Sequence, residues 1–180
     1  MDYYELTLQR RQQIEEGLLE MLRLTPYEKI SVTDLAKQLG ISRKSFYKYF
    51  NGKDDCLISL LDRVILEGAI HVTAVSPEGA DMCAMWQEFL TFWQSQRSLL
   101  EVVEGQQMER LWLWRYLHYF QTEERNRQVI PGLPADDRDE DVLSFYLMGL
   151  VTVLLSWCRR GFEPGVEEMA KKCEMLCNFW

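Results

Sequence analysis

The sequence predicts an all-α protein in which a short N-terminal helix-turn-helix unit precedes a longer helical part. Three observations carry that prediction. Apolar residues recur at the three-to-four spacing of an amphipathic helix along almost the whole chain. No segment shows the strand-length alternation bounded by turns that a sheet requires. Residues that start or stop helices recur along the chain: Pro26, Ser31, Gly40, Ser42, Asn51-Gly52, Pro77, Pro131-Gly132, Gly161 and Pro164-Gly165. With 180 residues, 47% of them apolar, the chain can bury a proper core and is not of disordered type.

The elements follow in order. Ile14, Leu18, Leu19 and Met21/Leu22 form one apolar stripe, which Leu6 extends N-terminally, and Pro26 stops this first helix near Leu24. Ser31-Val32-Thr33-Asp34 is a capping box with Asp in place of the usual Glu or Gln, and it opens a short helix from Val32 to Leu39. Gly40 supplies the left-handed residue that ends it. Ser42 caps a second short helix running to about Tyr49, which Asn51-Gly52 breaks. A long helix starts near Lys53 and runs to Val75. Further helices are expected over about 79–96, 104–124 and 139–160, and from Pro164-Gly165 to the C-terminus, with 126–138 a loop.

Charge divides the chain. Residues 1–63 hold ten Lys/Arg and ten Asp/Glu, whereas residues 64–180 hold ten Lys/Arg and 18 Asp/Glu, so the net −8 belongs entirely to the second part. Arg43, Lys44, Lys48 and Lys53 stand together with no acid before Asp54. Nucleic acid responds to that local charge, because the Debye length is only ~8 Å at physiological salt. The acidic, aromatic start Met1-Asp2-Tyr3-Tyr4-Glu5 is unlike a signal peptide, and no window reaches ~18 uninterrupted apolar residues, so a cytoplasmic protein without a membrane is expected. Five cysteines without a CxxC pair read as reduced, packed thiols.

Two short helices joined by Leu39-Gly40-Ile41-Ser42 fit a helix-turn-helix at 31–50. Ala36 is small where the second helix crosses. Leu35, Leu39, Ile41, Phe46 and Phe50 form the seam that fixes the angle, leaving Arg43, Lys44, Ser45, Tyr47 and Lys48 for the exposed face. The ungapped run Ser31-Val32-Thr33-Asp34-Leu35-Ala36, Leu39-Gly40-Ile41-Ser42, Ser45-Phe46-Tyr47-Lys48-Tyr49-Phe50 and Gly52-Lys53-Asp54-Asp55-Cys56-Leu57 resembles the DNA-binding domain of TetR-family regulators, over roughly residues 10–65. That resemblance implies about nine helices, with a DNA-binding domain at 1–52, the first turns of the connecting helix (53–63) adjoining it, and a regulatory and dimerisation domain at 53–180. It implies phosphate contacts from Thr33, Tyr47, Tyr49 and Lys53, and base reading or flanking by Arg43, Lys44, Ser45 and Lys48, with Ser42 at the helix start. A common variant carries His where this chain has Tyr49.

In the second part, Phe145-Tyr146, Gly149, Trp157, Gly161, Pro164 and Met169-Ala170 resemble the regulatory domain of a TetR subgroup that includes activators of dihydroxyacetone-kinase genes. Met85, Trp86, Phe89, Trp93, Trp112, Tyr116, Tyr119 and Tyr146 are either simple core or the lining of a pocket for a small-molecule effector, a pocket being what the resemblance implies. Helix 139–160 is apolar on most faces. A partner subunit explains that readily, and the resemblance implies a dimer interface built from the last two long helices, here through Val142, Phe145, Gly149, Val153, Met169, Cys173 and Leu176. Two-fold pairing places the recognition helices roughly 34–36 Å apart on double-stranded DNA and predicts a pseudo-palindromic operator. Cys173 and Cys177 share a helical face without further metal ligands nearby, His71 and His118 are isolated, and the acids at 136–141 cap a helix start. No cofactor, metal site, phosphate loop or nucleophile elbow is apparent, so no enzyme is expected. The function that follows is a repressor released by a small ligand; the alternative is an activator, or a regulator controlled by a protein partner.

Overall fold

The computed structural model describes residues 3–75, 81–122, 131–133 and 139–177, and among them every element is helical. The α-helices are α1 (Tyr3–Leu22), α2 (Val32–Gln38), α3 (Arg43–Phe46), α4 (Lys53–Val75), α5 (Met82–Ser95), α6 (Arg97–Gly105), α7 (Glu109–Thr122), α8 (Glu140–Arg159) and α9 (Val166–Cys177), with one 3-10 turn at Tyr27–Lys29. Most of the expected loop over 126–138, with Asp136 and Asp137, lies outside the described residues.

Three expectations are corrected. The second helix of the helix-turn-helix stops at Phe46 rather than Tyr49. Residues 47–49 tighten into turns with bonds that span three residues (Lys48 to Ser45, Tyr49 to Phe46), and Phe46 and Phe50, four residues apart, are both buried. Residues 82–122 form three helices where two were expected. Gln96 ends α5 and begins α6, which lets Leu99, Leu100, Val102 and Val103 reach the core. Leu6 lies on α1 but is exposed, so the buried stripe begins further along, with Ile14, Leu18 and Leu22.

The helix-turn-helix packs as its sequence dictates. Ser31 accepts from the Asp34 amide at 3.1 Å while the Asp34 carboxylate accepts from the Ser31 amide at 3.2 Å, closing the capping box. The Ser31 hydroxyl and amide also hold the Asp34 carboxyl below its usual range. Gly40 takes φ 65°, the left-handed conformation the turn needs. Leu39 lies against Gly17 of α1, where a Cβ would stand 2.7 Å from its side chain.

A polar chain ties α1 to α4. Glu15 is only 2% exposed. It accepts from the Ser59 hydroxyl at 2.6 Å and pairs with Arg63 Nε at 2.6 Å, and Arg63 also reaches Glu67 at 2.7 Å. Next along α4, Asp62 receives a two-pronged ion pair from Arg115 of α7, both bonds 2.6 Å. Helix α8 is long and apolar enough to cross a membrane by length and composition alone. Here its Leu143, Leu147, Leu150, Leu154 and Trp157 are buried against the other helices of this chain. At its end Gly161 turns the chain with φ 70°, and the Trp157 indole donates to the Pro164 carbonyl at 2.7 Å while meeting Phe162 edge-on.

Removing one partner of a buried ion pair strands the other charge. Arg63→Met is expected to destabilise the protein by about 3 kcal/mol, and thermal unfolding should record this as a melting point lower by roughly 6–12 °C. Glu15→Leu added to Arg63→Met should restore most of the loss.

Candidate nucleic-acid interface

The basic surface is produced by the way α3 is clamped. Ser42 caps α3, accepting from the Ser45 amide at 3.0 Å and donating to the Ser45 hydroxyl at 3.1 Å. Phe46 and Phe50 turn inward, their rings 5.9 Å apart. Arg43, Lys44, Tyr47 and Lys48 are thereby exposed, with Ser42, and Ser45 and Tyr49 are half-buried. Tyr47 lies edge-on to Phe46 at 5.5 Å, which steadies its ring although the residue is about half exposed, at 48%. Thr33 is exposed in the first turn of α2. Thr33, Ser42, Arg43, Lys44, Ser45, Tyr47, Lys48 and Tyr49 thus all belong to the helix-turn-helix, and its three long cations are exposed.

Lys53 behaves differently. Its ammonium donates to the Tyr27 carbonyl at 2.8 Å and sits 4.2 Å from the Tyr27 ring centre. Its remaining protons can still serve a phosphate, but its first role is to fasten the start of α4 to the turn between α1 and α2. The Tyr27 hydroxyl donates to Asp54; burial, with that carboxylate, pushes the Tyr27 phenol up.

Arg11 is the residue that sequence reasoning missed. It donates to the Tyr49 carbonyl at 2.5 Å and to the Ser59 hydroxyl at 2.9 Å, and its guanidinium lies 4.2 Å from the centre of the Phe50 ring. It therefore fixes the end of the recognition segment to α1 and α4 together. A signal was available, because Arg11, Glu15, Leu18 and Leu22 lie on one helical stripe, two charges in line with the core.

The predicted pocket residues separate into two groups. Trp86, Phe89, Trp93, Trp112 and Tyr116 are buried in one aromatic cluster, with Trp93 5.2 Å from Trp112 and 5.8 Å from Tyr116, and Phe120 joins it. Met85 and Tyr119 pack half-buried against it. The gap within the cluster is only about 10 Å³. The Trp86, Trp93 and Trp112 indole N–H groups are buried without a hydrogen-bond partner among the described residues. Trp93 lies close enough to the Tyr116 hydroxyl, and Trp86 to the Cys177 thiol, to affect their acidity, but neither reaches hydrogen-bond geometry.

Tyr146 belongs elsewhere, its hydroxyl on the Pro131 carbonyl and the Cys177 sulfur. With Trp86, Phe145, Gly149, Val153, Cys173 and Leu176 it lines an apolar groove of about 260 Å³ beside α8 and α9. Met169 and Cys173, expected at a partner interface, are instead buried within their own protomer, because α9 turns that face onto α5. Burial pushes the Cys173 thiol up to about 12, so it stays protonated and inert. Val142, Phe145 and Met148 of α8 are 39%, 67% and 53% exposed, and Leu176 of α9 is exposed beside the groove.

Comparison with known proteins agrees with this geometry. A family model of the bacterial regulatory proteins, tetR family, matches residues 16–60. The HTH-type transcriptional regulator EthR of Mycobacterium tuberculosis is 33% identical over 183 aligned residues, covering 92% of this chain and 81% of that protein. EthR of Mycolicibacterium smegmatis is 49% identical over 45 residues, 25% of this chain and 21% of the relative. Among solved structures, the transcriptional regulator FadR from Bacillus subtilis, in complex with stearoyl-CoA, superposes with a TM-score of 0.63 at 18% identity, covering 92% of this chain and 96% of that one. The fatty acid degradation regulator FadR from Bacillus halodurans gives 0.61 at 18% identity, covering 93% and 94%.

Arg11→Met keeps the stem over Phe50 but removes both donors. It is expected to cost about 1–2 kcal/mol and to speed amide hydrogen exchange over residues 47–51 more than elsewhere, as mass spectrometry of exchanged peptides will show.

Proposed function

The chain is a helix-turn-helix transcriptional regulator of the TetR family of bacterial regulatory proteins, and on that premise we propose that it is a cytoplasmic homodimeric repressor whose hold on a pseudo-palindromic operator is relieved by a small ligand. The observation that carries the reading is the segregation within residues 42–50: Phe46 and Phe50 lock inward while Arg43, Lys44, Tyr47 and Lys48 face outward. Arg43 and Lys44 are the candidates for guanine edges. Thr33, Ser42, Ser45, Tyr47, Lys48, Tyr49 and Lys53 position the protein on phosphates or flank the bases. Residues 1–52 act as the reading head, and 53–180 as the regulatory and dimerising part, with α4 shared between them.

The exposed apolar positions Val142, Phe145 and Gly149 on α8, with half-buried Val153 and with Leu176 of α9, support pairing with a second copy. The aromatic cluster supports an apolar effector. Its three indole donors, which have no acceptor among the described residues, would gain a partner from a ligand carrying a carbonyl or similar group. The fold neighbour from Bacillus subtilis is described with stearoyl-CoA, a ligand with a long apolar chain. With only about 10 Å³ free, the cluster must open to admit such a molecule. Opening is what gives the ligand leverage, since it acts only by favouring one arrangement of the two heads over another. The role is regulatory rather than enzymatic and calls for no metal or cofactor.

Operator binding tests this reading. Arg43→Ala with Lys44→Ala should abolish specific binding while sedimentation still reports a dimer. Phe145→Asp should yield a monomer that retains its helical content but binds the full operator far more weakly. A double variant that binds like the parent would sink the assignment of the reading surface.

A further inference from the structure

One side chain of the regulatory helices reaches the reading head with its whole amide. Gln106, just beyond α6, donates from Nε2 to the Leu22 carbonyl at 2.7 Å and to the Thr25 carbonyl at 3.2 Å, and its Oε1 accepts from the Tyr27 amide at 3.0 Å. These partners lie some eighty residues away in sequence. Leu22 is the last residue of α1, so its carbonyl is among those the helix itself leaves without a donor. A regulatory residue thus caps the helix that carries Arg11 and Glu15.

The backbone around Gln106 is shaped for this reach. Gln106 ends α6, Gln107 takes φ 56°, and the amides of Gln107 and Met108 bond back to Glu104 at 3.0 Å and Val103 at 2.7 Å. That bond pair is a Schellman ending, in which the left-handed position ordinarily suits glycine. Gly105 stands two residues too early to fill it. A non-glycine residue is therefore held in a costly conformation, at the point where Gln106 must aim away from its own helix. Met108 and Val103 are both buried and hold the corner in place.

Beside the contact the walls stand apart. A cleft of about 640 Å³ lies between Pro26, Tyr27 and Glu28 on one side and Gly105, Gln107 and Met108 on the other. The head is joined covalently through α4 and stitched across this cleft by Gln106. We propose that Gln106 is the positioning residue that fixes the angle of the reading head on the regulatory helices, and so sets the operator half-site spacing the dimer accepts. With the stitch cut, the head, still tied through α1 to Ser59 and Arg63, swings as one body with the first turns of α4, and each recognition helix still fits its own half-site. This rests on the dimeric reading given above.

The test uses full-length protein and duplexes selected from a random pool, rebuilt with the two half-sites moved apart or together one base pair at a time. The parent should prefer one spacing by roughly tenfold or more, the equivalent of about 1.4 kcal/mol. Gln106→Ala and Gln106→Glu should flatten that preference to within about threefold while a single half-site is bound as before. The Glu variant keeps the acceptor for Tyr27 but loses both donors. Gln107→Gly, which relieves the left-handed residue without touching the stitch, should keep the parent's preference. Variants that retain the sharp preference, or that lose single half-site binding as well, overturn the proposal and leave Gln106 a helix cap. A parent that selects isolated half-sites overturns the dimeric reading along with it.

Discussion

Glu15 carries a charge on the face of α1 that also holds Ile14, Leu18 and Leu22. It is tolerated there because Ser59 and Arg63 of α4 meet both its oxygens. The pairing fixes how α1 lies on α4, and other contacts inherit that geometry. Arg11, one turn earlier, shares Ser59 and carries the Tyr49 carbonyl and the Phe50 ring. The end of the recognition segment is therefore placed by α1, and α1 is placed by a buried ion pair.

From that constraint the reading surface follows. Phe46 and Phe50 have one side on which to bury, so Arg43, Lys44, Tyr47 and Lys48 have one side left. Phe50 stays on the face of Phe46 because it stands four residues on, and its amide bonds back to the Phe46 carbonyl at 3.2 Å across the tight turns over 47–49. The short helix costs the protein little, because Ser42 caps its start and Arg11 holds its end.

Signals confined to a few residues were legible in the sequence. The capping box at Ser31–Asp34, the turn at Gly40 and the N-cap at Ser42 act on their immediate neighbours, and the structure has each where it was expected. The end of α5 near Gln96 was legible, but the helix that follows was not, because residues 97–105 are helical so that Leu99 to Val103 can reach a core assembled from distant segments. The left-handed turn at Gln107 was not legible either, because no glycine stands there to mark it. Glu15 and Arg11 were visible on the helical stripe, but their partners Ser59 and Arg63 stand more than forty residues away. Tyr146 was grouped with the other aromatics because composition does not tell which side of α8 a ring occupies, and it faces the groove with Cys177. Spacing likewise could not show that α9 gives Met169 and Cys173 to its own protomer.

The central claim is that two copies of the α3 surface engage DNA in fixed register. Hydroxyl-radical footprinting of the full-length protein on a selected duplex tests it most directly. The account predicts two protected patches related by two-fold symmetry on one face of the duplex, with centres roughly 34–36 Å apart. A single patch, or protection that ignores sequence, would contradict it.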